Sequence, residues 1–108
     1  MENLPDGLSL SKGEMLLYAN PQFFKLFHYP SDTLMTDIDF HVNIHMEDWN
    51  TLFPVLHQSL DGVTTISIRG ITNDEKQILL ELHIVSFQID DSLYHQIYWR
   101  DITQTQKL

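Results

Sequence analysis

The residues in this 108-residue chain best able to do chemistry cluster at His41-Val42-Asn43-Ile44-His45, with Asp37, Asp39, Glu47 and Asp48 close by. Two histidines four apart lie on one face of a helix, where they can converge on a metal ion that a carboxylate completes. The glutamate-containing H-E-x-x-H pattern is absent, and Asp48 is claimed as a helix cap, so no metal site is assigned. Glu81 and His83 alternate along a strand and share a face, an acid and a base within reach of one another. General acid–base work wants a desolvated cleft, whereas this pair falls on an open sheet face beside Leu79, Val85 and Phe87. No catalytic residue is assigned, and the chain reads as a non-enzyme. The chain has no cysteine, which excludes disulfides, thiolate ligands, thioether-linked haem and covalent chemistry at sulfur.

Composition narrows the partners. With 43% hydrophobic residues in 108, the chain supplies one core and a single domain, 1–108. The formal net charge is −9, and the six basic residues (Lys12, Lys25, Arg69, Lys76, Arg100, Lys107) are scattered singly. Nucleic-acid binding needs a clustered cationic face to displace counterions, so none is expected. No run approaches the ~20 apolar residues that span a bilayer, and the acidic N-terminal segment is no signal peptide, so a cytoplasmic segment is expected. Residues 104–108 form a helix-compatible run, read as the start of a linker to an output domain.

The elements that would position these groups follow from patterning. Leu8 and Leu10 alternate with Ser9 and Ser11, and Lys12-Gly13 turns the chain into Met15-Leu16-Leu17-Tyr18, apolar enough for a buried strand. Asn20-Pro21 ends that strand and starts a short helix, Asn20 as N-cap and Pro21 at the first helical position. Phe23 and Phe27, four apart, give the helix its apolar side. Ser31 or Asp32 is expected to cap a single turn carrying Leu34 and Met35. Asp48 is expected to cap a helix whose apolar face is Trp49, Phe53, Leu56 and Leu60, with Pro54 kinking it and Asp61-Gly62 stopping it. Three strands then run over Val63–Thr72, Gln77–Ile89 and Leu93–Thr103, joined by turns at 73–76 and 90–92. Ile66 and Ile68, then Ile78, Leu80, Leu82 and Ile84, then Leu93, Ile97 and Trp99 form the inner layer. Two strands, helices and three strands, with the helices on one face, is an α+β layout.

Four pieces in order, Glu2-Asn3-Leu4-Pro5-Asp6-Gly7, Tyr18-Ala19-Asn20-Pro21, His45-Met46-Glu47-Asp48 and Arg100-Asp101-Ile102-Thr103, resemble the PAS sensory-domain family across nearly the whole chain. The resemblance implies a five-stranded antiparallel sheet in the order 2-1-5-4-3. It departs at His28, where the family usually has glycine, so that a left-handed backbone there would be strained. It departs again at Asn73-Asp74-Glu75-Lys76, where an Asp-Gly turn is common and a looser or differently typed turn is expected. Haem-binding members use a histidine of the helix that follows Asp48, but the ligand position falls nearer Phe53 than His57. Light-sensing members need a cysteine this chain lacks, and Trp99 stands where they carry a flavin-facing glutamine. No cofactor is therefore assigned.

What the resemblance implies is a sensor or regulatory domain attached to a histidine kinase or a GGDEF diguanylate cyclase. A small ligand or partner would favour one packing of helices on the sheet, and the last strand would carry the difference outward. The expected ligand pocket is Phe27, Leu34, Met35, Phe53, Leu56, Ile68, Leu82 and Trp99, and the signal exit is Asp101, Ile102 and Thr103. Leu79, Val85 and Phe87 form the expected homodimer face. The alternative is a ligand-free dimerisation module whose large inner side chains fill the core.

Overall fold

A computed structural model describes residues 6–103. The expectations for residues 1–5 and 104–108, the start of the first motif and the linker run, lie outside those residues. The sheet is assembled from β1 (Gly7–Lys12), β2 (Met15–Ala19), β3 (Thr64–Ile71), β4 (Gln77–Ile89) and β5 (Ser92–Asp101). It is antiparallel throughout with the order β2-β1-β5-β4-β3, as the resemblance implies. Period-two burial along β4 puts Ile78, Leu80, Leu82 and Ile84 inside, facing Ile97 and Trp99 of β5 and Ile68 of β3. Asp90-Asp91 closes β4 onto β5, and Asp90 takes the positive φ (55°) such a tight connection needs.

The helices α1 (Pro21–Leu26), α2 (Phe40–Asn43) and α3 (Met46–Val55), with a 3-10 turn at Met35–Asp37, pack on the inner face. Asn20 caps α1 as expected: its Oδ1 accepts from Phe23 N (3.0 Å) and from Leu8 N (2.9 Å), so one side chain both starts the helix and extends the β1 edge. A Cβ at Gly7 would stand 3.0 Å from Phe23 Cα, and glycine there lets α1 settle directly on β1.

Four local expectations are overturned. β2 is a sheet edge, and Met15, Leu17 and Tyr18 are exposed rather than buried. In β1 the Leu/Ser alternation by itself assigns no inner side; there Gly7, Ser9 and Ser11 face inward, because Trp99, Ile97 and His95 opposite them leave room only for small residues. The cap of α3 is His45, whose Nδ1 accepts from Glu47 N (3.2 Å), because the Asp48 carboxylate is taken by Arg69. The helix ends at Val55, one residue past Pro54, which leaves the Asn50 carbonyl without its helical donor; Gly62 (φ 76°) turns the chain toward β3 instead of ending α3. The 3-10 turn has Leu34 at its N-cap with no side-chain bond, so neither Ser31 nor Asp32 caps it.

Candidate functional site

The centre of the inner layer is aromatic. Phe23 on α1 and Phe27 at its C-cap, one helical turn apart, stand 4.9 Å from each other and 5.5 and 5.6 Å from the Trp99 ring, which meets both edge-to-face. All three are fully buried. The Trp99 indole N–H donates to Ser9 Oγ at 2.8 Å, which anchors the ring across the β1–β5 pairing. Leu56, Ile68 and Leu82 are buried in the same cluster, and Met35 packs partly buried against it.

Six of the eight expected pocket residues therefore converge: Phe27, Met35, Leu56, Ile68, Leu82 and Trp99. The other two do not. Leu34 is 64% exposed, since the 3-10 turn directs Met35 inward in its place, and Phe53 is 40% exposed on the outer side of α3. Helical offset alone put Phe53 with Leu56, but Leu52 is the α3 residue that is buried. Phe53 instead lies in a surface row, His41–Trp49–Phe53–His57, with ring separations of 4.4, 6.0 and 4.5 Å.

The histidines are spent structurally. His41 Nε2 lies 2.9 Å from Glu14 Oε1 and His57 Nε2 3.4 Å from Oε2, so the carboxylate in the β1–β2 turn holds α2 and the end of α3 together. The His41 bond is the main cause that keeps the Glu14 carboxyl below its ordinary value. His41 and His45 thus face different partners, and no group of metal-ligating side chains forms among the described residues. His57 is a surface residue. Glu81 and His83 bond each other at 2.9 Å on the half-exposed outer face, not in a cleft.

Arg69 locks α3 to β3. Asp48 Oδ2 accepts from the Arg69 amide (2.7 Å) and Nε (2.9 Å), and Oδ1 accepts from Nη2 (2.9 Å). These bonds hold the Asp48 carboxyl below the usual carboxylate range. Just beyond the same end of β3, His28 adopts φ 61°, and its Nδ1 lies 2.7 Å from Asp74 Oδ1. Thr72's hydroxyl first, then His28, brings the Asp74 carboxyl down to about 2. The 72–76 turn is accordingly closed, not loose: Thr72 N donates to Lys76 O at 2.8 Å, and Glu75 rather than a glycine takes φ 66°.

The expected exit residues, Asp101, Ile102 and Thr103, are stapled to the start of β4. Ile102 N donates to Leu79 O (2.9 Å), Leu79 N donates to Thr103 Oγ1 (2.9 Å), and Asp101 Oδ1 accepts from Thr103 N (2.9 Å). Trp99 precedes this staple by two residues on the inner side of the same strand. On the outer face Leu79 and Val85 are half-buried, while Phe87 stacks on Tyr94 with ring centroids 5.6 Å apart.

An antiparallel sheet in this order, helices on one face and an aromatic core two residues from a stapled strand end define a module of the PAS type. A family model described as PAS domain matches residues 1–67, and the chain belongs to that family. The fold is similar to a PAS domain from Colwellia psychrerythraea (TM-score 0.77, 15% identity, 94% of this chain and 89% of that one). It is also similar to the N-terminal domain of a diguanylate cyclase with PAS/PAC sensor from Marinobacter aquaeolei (TM-score 0.70, 16% identity, 94% and 98% covered). A sensory box histidine kinase/response regulator from Burkholderia thailandensis superposes with TM-score 0.74 at 16% identity, over 95% of this chain and 81% of that one. No curated protein matches the sequence. Among the described residues no helix is long and apolar enough to cross a membrane.

Proposed function

We propose that this PAS domain is a non-catalytic, cytoplasmic sensory or regulatory module of a signalling protein whose output is a histidine kinase or a GGDEF diguanylate cyclase. The observation that carries the reading is the position of Trp99. It meets the rings of Phe23 and Phe27 and lies on the strand that runs on into the Leu79–Thr103 staple, so a change in helix packing has a short route to the chain that leaves the domain. Similar folds in a histidine kinase and a diguanylate cyclase support the choice of hosts. The proposed input is a small ligand or partner that repacks the region around Phe27, Met35, Leu56, Ile68, Leu82 and Trp99, and neither haem nor flavin is required. Native mass spectrometry of the purified domain tests this: a stoichiometric small-molecule adduct that shifts Trp99 fluorescence supports it. A coloured protein carrying haem or flavin contradicts it.

A second reading has its own support. The close contacts among Phe23, Phe27 and Trp99, together with the outward placement of Leu34 and Phe53, fit a ligand-free interaction module. Such a module would signal through the Leu79, Val85 and Phe87 face, and the same measurement would find the bare polypeptide mass.

A further inference from the structure

Two buried side-chain polar atoms among the described residues have no hydrogen-bond partner, Ser11 Oγ and His95 Nδ1. They belong to residues that face each other in the β1–β5 register, both fully buried. The preceding inward serine makes the contrast plain, because Ser9 Oγ is taken by the Trp99 indole. On the far side of the imidazole, His95 Nε2 lies 2.8 Å from the Gln58 carbonyl oxygen. A carbonyl only accepts, so in the neutral ring Nε2 carries the proton and Nδ1 presents a lone pair. Burial keeps His95 below the usual histidine range, outweighing the Gln58 and Val55 carbonyls that favour the charged ring. The pair therefore offers one hydroxyl, able to donate or accept, beside one nitrogen that only accepts.

We propose that Ser11 and His95 form a buried polar anchor that takes a single hydroxyl-bearing group, whose proton goes to His95 Nδ1 and whose oxygen accepts from Ser11. A water molecule supplies that chemistry, and so does the alcohol of a small, otherwise apolar ligand lying between helices and sheet. A carboxylate does not, since it only accepts and has no proton for Nδ1. The anchor is tied to signalling geometry: His95 holds the Gln58 carbonyl just beyond α3 and lies on the inner side of β5, followed there by Ile97 and Trp99. Only the ligand source rests on the sensory reading; the anchor itself does not.

The test is long-range proton–nitrogen NMR of the histidine rings in the labelled chain near neutral pH, with water–protein NOEs and native mass spectrometry on the same sample. The expected result is His95 as the Nε2–H tautomer with its Nδ1 signal displaced toward that of a hydrogen-bonded acceptor. A bare mass with a water NOE to the His95 ring assigns the group to water, and a non-covalent adduct assigns it to a ligand. Titrated 1-butanol should move the Nδ1 signal only where the anchor is open to ligand, and an unmoved signal leaves water as the occupant. Ser11→Ala should shift the Nδ1 resonance and weaken the NOE or adduct while the spectrum of the fold persists. An Nδ1–H tautomer donating to the Val55 carbonyl would overturn the anchor. So would a free-acceptor Nδ1 signal with neither water NOE nor adduct.

Discussion

Trp99 Nε1 donates to Ser9 Oγ at 2.8 Å, and this one bond joins the ring at the centre of the core to the strand that separates β5 from the sheet edge. Both residues are fully buried, so the hydroxyl is also what makes a polar indole tolerable at that point. Ser9→Ala removes the acceptor and should cost ~1–2 kcal/mol in urea unfolding, whereas Trp99→Ala should cost ~3–5 kcal/mol by emptying the ring's volume. In a Trp99→Phe background Ser9→Ala should cost markedly less. Equal costs in the two backgrounds would mean that the bond does not couple the strands.

His28 carries a left-handed backbone on a residue with a Cβ, held in place by Asp74. His28→Gly and His28→Ala both lose the Asp74 partner, so their difference isolates the backbone. The glycine variant should be the more stable by ~1 kcal/mol. Equal denaturation midpoints would show that the position is unstrained.

The fold was legible because its signals are local and repeated. Asn20-Pro21 states a strand end and a helix start in two residues, and the alternation of Ile78, Leu80, Leu82 and Ile84 survives intact. The inner side of β1 was not legible for the opposite reason: burial there is set by the bulk of Trp99 and His95 on a strand some ninety residues away, which no local window contains. Asp48 looked like a cap because nothing in its own segment shows that Arg69 will arrive to claim it. His95 escaped notice between Leu93 and Ile97, although its place in their alternation already put it on the inner face.

His95 gives stability a pH dependence of definite sign. Because burial lowers its pKa in the folded protein, the unfolded chain takes up the proton first. Its contribution is whole above the ordinary histidine value of about 6.5 and is lost progressively as pH falls below that value toward the folded pKa. His57, whose charge opposes that of His95, and the Val55 and Gln58 carbonyls are the neighbours that set the extent. Urea midpoints should therefore fall with acidification through this window, and His95→Leu should flatten the profile. An unchanged profile in that variant would refute the assignment.

Among the described residues the outer sheet face carries half-buried and exposed apolar side chains. Val85 is half-buried and Phe87 exposed beside the stacked Tyr94, with Tyr98 also exposed on the same face. The domain is expected to self-associate there, and Val85→Glu should shift sedimentation toward monomer without lowering the thermal midpoint. A wild-type domain that stays monomeric at high concentration removes this face as a homodimer surface for the isolated domain.

If changes in the core reach an output domain through Trp99, as proposed above, effector activity of a full-length protein carrying Trp99→Phe reports it without intermediaries. The conservative ring keeps most of the packing, so the domain should remain folded by circular dichroism while losing the Ser9 bond. Altered basal or signal-dependent output with the fold intact is expected. Output indistinguishable from the unsubstituted protein, across the full range of its signal, would contradict it.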